Sequence, residues 1–177
     1  MAHKSYYQVA DFRPFLTNPN KYINRNNKPL VARSGLEIRA FQKFDNLSSI
    51  VSWSSETIFV PYQKPLFENN TSNIIRTEEH KYIVDCWLLW KTGETVVEML
   101  VEIKPKSMCY PPKPPKINNK KSIDKYNESM RTYLINNYKW MATYNFCKQI
   151  TEEKKRPIHF VIFTDEYQII PIEKIIF

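Results

Sequence analysis

Followed along the chain, the alternation of apolar and polar positions is densest in residues 80–104. Two runs, HKYIVDCWLLW and VVEMLVEIKP, flank a polar KTGET turn that contains Gly93. Their length and their content of Val, Ile, Tyr, Trp and Leu predict a β-hairpin. Upstream, Leu36, Ala40, Phe41 and Phe44 recur at helical spacing and predict a helix over 34–46. Ser34 and Glu37 fit an S-x-x-E capping box at its start. Between helix and hairpin, a strand is predicted over 57–61, ending at Pro61, and 63–79 reads as a polar, Asn-rich loop. After Pro105 the segment KSMCYPPKPPKINNKKS has the composition of an irregular, polyproline-like basic loop.

The longest helical pattern covers 122–150, where Tyr126, Met130, Tyr133, Leu134, Met141, Tyr144 and Cys147 form one broad stripe. Asn137 falls on or beside that stripe, as a hydrogen-bonded core asparagine or as a site residue. IHFVIF (158–163) predicts a last buried strand, and the tail IIPIEKIIF is apolar enough to require docking on this chain or on a partner. Residues 1–30 hold Pro14, Pro19 and Pro29 and no sustained periodicity, which predicts an extended arm. Its aromatics, Tyr6, Tyr7, Phe12, Phe15 and Tyr22, are suited either to packing on the body or to touching nucleic acid. The order of helix, strand, hairpin, basic loop, long helix and strand predicts an α/β fold with a mixed central sheet flanked by helices. The expected organisation is an arm (1–30), one domain (31–164) and an apolar tail (165–177).

Composition narrows the function. Of 177 residues only two are glycine, Gly35 and Gly93, which excludes a P-loop and a Rossmann fingerprint and with them a nucleotide cofactor held in either way. Three cysteines (Cys86, Cys109, Cys147) without zinc spacing are expected to be reduced thiols, and the three histidines form no metal motif. No apolar run is long enough to span a membrane, and no signal peptide is expected. The net charge of +8 is concentrated in residues 1–34 and 104–121, the latter with six lysines and no acid. Basic segments flanking acidic positions suit a polyanion, with Arg33, Lys81, Lys106, Lys113, Lys116, Lys120 and Lys121 as candidate contacts to double-stranded DNA.

Among the ionisable residues that interrupt the apolar hairpin are Asp85, Glu102 and Lys104. Glu102 and Lys104 share a strand face, with Ile103 on the other. Two carboxylates and an ammonium on facing strands form either a salt-bridge cluster or a metal site with a lysine beside it. In the second case Asp85, Glu102 and the Ile103 carbonyl are suited to Mg2+ or Mn2+, and Lys104 to orienting water or stabilising a phosphorane. Glu37 is available as a further ligand or a general base, as well as for closing its helix.

The D…E-x-K pattern on a hairpin resembles the PD-(D/E)xK nuclease superfamily, including TnsA-type endonucleases. The longer series ARSGLE (32–37), SWSSE with VPY (52–62), HKYIVD (80–85), LVEIKPK (100–106), PPK (111–113), NNYKW and FCK (136–148) resembles the head-completion nucleases of T-even-like tailed phages. The resemblance implies a restriction-endonuclease-like core, Mg2+-dependent cleavage of DNA, and active-site positions at Glu37, Asp85, Glu102 and Lys104. It also implies supporting polar groups at Tyr133, Asn137 and Lys139, a place in the virion, and head, neck or portal proteins as partners. The sequence departs from the pattern at Val84, where the superfamily has proline, and at Gly35, where a bulkier residue is usual. Two other readings are open: a virion structural protein whose carboxylates are idle, and a transposon-end or repair endonuclease of the same fold.

Overall fold

The structure is a computed structural model that describes residues 8–117 and 119–176. Tyr6 and Tyr7 of the predicted arm lie outside the described residues. Helix α1 (Gly35–Asn46) leads into strand β1 (Ile50–Phe67), which turns back as β2 (Ile74–Thr92) and again as β3 (Thr95–Ile103). The long helix α2 (Lys120–Lys154) crosses to β4 (Ile158–Phe163), followed by β5 (Ile169–Pro171) and a last turn of helix, α3 (Glu173–Ile176). The five strands form one sheet in the order β1-β2-β3-β4-β5. Only the β3–β4 pair is parallel, as the intervening helix requires, so the fold is mixed α/β.

Each sheet face buries its own core. On one face α1 and the incoming segment contribute Phe12, Leu30, Phe41 and Phe44, which pack on Trp53, Leu88, Val101 and Phe163. On the other, Trp140 and Cys147 of α2 and Ile172 near the C-terminus pack on Val60, Tyr82, Trp87, Leu100 and Ile162. The segment before α1 is tied down by bridges Val9–Ala32 and Tyr22–Trp53, while Phe15 stays exposed. The apolar tail docks on this chain, with Ile172 fully buried.

The predicted hairpin, first helix, long helix and strand 158–163 are all present, but three local expectations fail. Residues 63–79 are not a loop throughout: β1 and β2 continue past the sheet as a two-stranded arm, in register from Gln63–Glu79 to Leu66–Arg76, with Phe67–Ile74 paired beyond a register shift. Pro61 does not end the strand, because β1 is the edge strand and its prolines need donate no ladder hydrogen bond on the free side. On α2 the fully buried line is Asn136, Trp140, Thr143 and Cys147. It shares Cys147 with the predicted stripe, and at the middle of the helix it passes through Asn136 rather than Asn137, one residue or about 100° away. Asn137 is only half-buried.

Candidate functional site

The site lies where β2 and β3 part. Their pairing is regular from Thr92–Thr95 to Cys86–Val101, and the next residue of β2 is Asp85. On the other side, β1 places Glu56 and Thr57 opposite Asp85 alone, since Ser55 pairs with Cys86 and Ile58 with Val84. Such a bulge twists the strand and re-aims a side chain. Its effect appears in the packing, where Val84 joins the α2 side of the sheet and Cys86, two residues on, the α1 side. Glu56 adopts a positive φ of 54° to make the bulge.

At this fork the Asp85 Oδ2 accepts a hydrogen bond from the Ile103 N–H at 2.7 Å, leaving Oδ1 without a partner among the described residues. Glu102 is 2% exposed. One of its oxygens accepts from the Tyr82 hydroxyl and the other meets Lys104 Nζ at 3.1 Å. Burial, and then the nearby Glu102 carboxylate, push the Asp85 carboxyl well above the ordinary carboxylate range. The Ile103 N–H and Lys104 oppose that shift without cancelling it. Burial disfavours the Lys104 ammonium, but Glu102 outweighs it and raises the amine, which therefore stays charged. Burial and Glu102 likewise hold the Tyr82 phenol protonated, as a donor.

Two further groups border this cluster. Lys139 on α2 reaches over the Tyr82 ring, its Nζ 5.3 Å from the centroid, and burial lowers its pKa. Glu37 is drawn into the helix start, as the capping pattern predicts. Its backbone N–H donates to Ser34 Oγ at 3.2 Å, and its carboxylate accepts from the Ser34 hydroxyl (3.1 Å) and the Arg33 N–H (2.8 Å). Its charge still adds to the upward pressure on Asp85.

The structure thus brings together Asp85, Glu102, Lys104 and Lys139, with Glu37 at the margin. Among the described residues no three Asp, Glu, His or Cys side chains converge as a closed ligand set. The donors nevertheless fit magnesium, which takes one or two carboxylates and fills its octahedron with water and phosphate oxygens. Asp85 keeps a free oxygen, and two desolvated acids outnumber the one lysine paired with them. Tyr133 and Asn137 do not join this cluster by any hydrogen bond or ion pair among the described residues; Tyr133 lines a separate cavity.

Of the basic candidates, Arg33 is paired with Glu56, its Nη2 3.2 Å from Oε2, and Lys106 with Glu166 at 2.7 Å. Lys81, Lys113, Lys116, Lys120 and Lys121 are exposed. The last two occupy the first turn of α2, which contains no acid. Sequence reasoning passed over Glu56, whose signal would have been the one acid of SWSSE, and Asn136, hidden by its neighbour.

A family described as TnsA-like endonuclease N terminal matches residues 47–165. The chain belongs to this family. The match takes in Asp85, Glu102 and Lys104 and begins after Glu37. The chain is also a homologue of the head completion nuclease of Enterobacteria phage T4, 28% identical over 149 residues, 84% of this chain and 87% of the relative. No solved structure matches it.

Proposed function

We propose that this protein is a magnesium-dependent DNA endonuclease of the head-completion type, with a restriction-endonuclease-like core, acting on or capping DNA at the filled phage head. The observation that carries this reading is the pairing of Asp85 and Glu102 at the strand fork, with a charged Lys104 against Glu102. Asp85, Glu102 and the Ile103 carbonyl would hold the metal, with Glu37 positioned to assist through its charge. When bound, magnesium polarises a phosphodiester and lowers the pKa of a bound water.

The chain's own groups do the rest. The Ile103 N–H and the Tyr82 hydroxyl fix the two carboxylates before substrate arrives, so little reorganisation is needed. Lys104 donates hydrogen bonds to the attacking water or to the charge growing on phosphorus. The first turn of α2 supports the DNA: Lys120 and Lys121 add to the positive end of the helix dipole, a pairing that disfavours the isolated helix and favours phosphate.

A second reading has one observation in its favour: both Glu102 oxygens are already occupied, by Tyr82 and Lys104. In it the fold is a virion component that binds DNA ends or portal and neck proteins, with idle carboxylates. Plasmid nicking in magnesium and in EDTA separates the two. Nicking that needs magnesium and falls on the order of a hundredfold in Asp85→Ala supports the nuclease. DNA binding without nicking in either buffer leaves the scaffold reading alone.

A further inference from the structure

A cavity of about 410 Å³ lies between the basic loop that follows β3 and the middle of α2. Its volume falls within the roughly 300–1,000 Å³ of small-ligand pockets. Met108 and Tyr110 line it from the loop, and Lys125, Glu128, Tyr133 and Asn136 from the helix. Asn136 is 5% exposed, and its Nδ2 finds no acceptor among the described residues. A buried amide donor without a partner is costly, so it marks a place where an acceptor is missing. Two of the helix hydroxyls beside it are already committed, since Ser129 and Thr132 both donate back to their own helix at 3.0 Å.

The walls narrow the ligand's chemistry. Tyr110 is 44% exposed and, with Tyr133, offers a flat apolar surface beside the amide. Glu128 and Lys125 are both exposed wall residues of opposite charge, so the cavity as a whole does not select a phosphate, while Lys125 can meet one outside it. A flat, uncharged group with hydrogen-bonding edges, attached to a phosphate that stays outside, is a nucleobase. Aromatic stacking with an amide on the base edge is the usual way to hold an unstacked base. The position agrees: the loop wall begins three residues after Lys104, and Asn136 precedes Lys139 by three residues, about 4.5 Å along α2.

We propose that this cavity receives one unpaired base of the DNA strand held at the fork, so that the preferred substrate is a DNA end or junction carrying an unstacked nucleotide. This rests on the nuclease reading above and adds a substrate class to it. The test is fluorescence anisotropy with the full chain in EDTA, using a blunt duplex and the same duplex with one unpaired terminal nucleotide.

Wild type is expected to bind the second probe about tenfold or more tightly, the scale of one stacked base. Tyr110→Ala and Asn136→Leu are expected to abolish the preference. Tyr110 is exposed, so its variant decides the matter if Asn136→Leu does not fold. Salt-sensitive binding of equal strength to both probes would overturn the base pocket and leave the nuclease reading intact. A preference that survives Tyr110→Ala would also overturn the pocket, and failure to bind either probe would overturn both proposals.

Discussion

Strand β3 carries two buried glutamates four residues apart on one face, and their surroundings differ in a single respect. Glu98, 8% exposed, accepts from Trp87 Nε1 at 3.0 Å and is paired with Arg156. Glu102 accepts from Tyr82 and is paired with Lys104. Both have an aromatic donor and one cation. Only Glu102 has a second acid, Asp85, beside it, and burial together with Glu102 pushes that Asp85 carboxyl well above the ordinary carboxylate range. The Glu98 end is electrically complete and does structural work; Arg25 stacked on Trp87 at 4.2 Å closes it further. The Glu102 end carries an acid its lysine does not balance, in a place poor in water. Uncompensated charge of that kind is tolerated when function needs it.

The largest expected effect separates the two cations. Lys104→Ala is predicted to lower the plasmid-nicking rate on the order of a hundredfold or more, while Arg156→Ala leaves nicking at the wild-type rate. Stability should respond the other way. Arg156→Ala strands a buried carboxylate, and because the arginine is half-exposed the cost in urea unfolding should be about 1–2 kcal/mol.

A smaller effect sharpens the contrast from the acid side. The folded state holds the Asp85 proton to higher pH than the unfolded chain, whose value is near 3.8. This group therefore stabilises the fold below that value, and the contribution disappears as pH rises through the folded pKa. Near neutrality Asp85→Asn should melt about 2–4 °C above wild type while losing nicking. In acid the two melting temperatures should converge. A lower melting temperature for Asp85→Asn at neutral pH would show that the charge is already balanced. Smallest of all, Lys120→Gln or Lys121→Gln should each reduce the slope of log affinity for DNA against log salt by about one at most, by counterion release.

Much of this was legible in the sequence, for physical reasons. Apolar alternation marked the hairpin and strand 158–163, because those residues are buried on both sheet faces. Ser34 and Glu37 announced the start of α1, where a capping side chain must satisfy free N–H groups. Residues 74–79 are exposed throughout, so they hid a strand whose partners are backbone groups of β1. Asn136 was obscured because one residue along a helix changes the face presented, and half-buried aromatics such as Tyr133 blur the boundary. Asp85, Glu102 and Lys104 lie close together at the fork, yet the bulge at Glu56 that turns Asp85 into it has no local signature apart from a left-handed residue that is not glycine.

The most direct measurement is isothermal titration of manganese into wild type, Asp85→Asn and Glu98→Gln. A saturable heat is predicted for wild type and Glu98→Gln, and none for Asp85→Asn, because only the end of β3 with the unbalanced acid gathers the ion. The same heat in all three proteins, or none in wild type, would contradict the account.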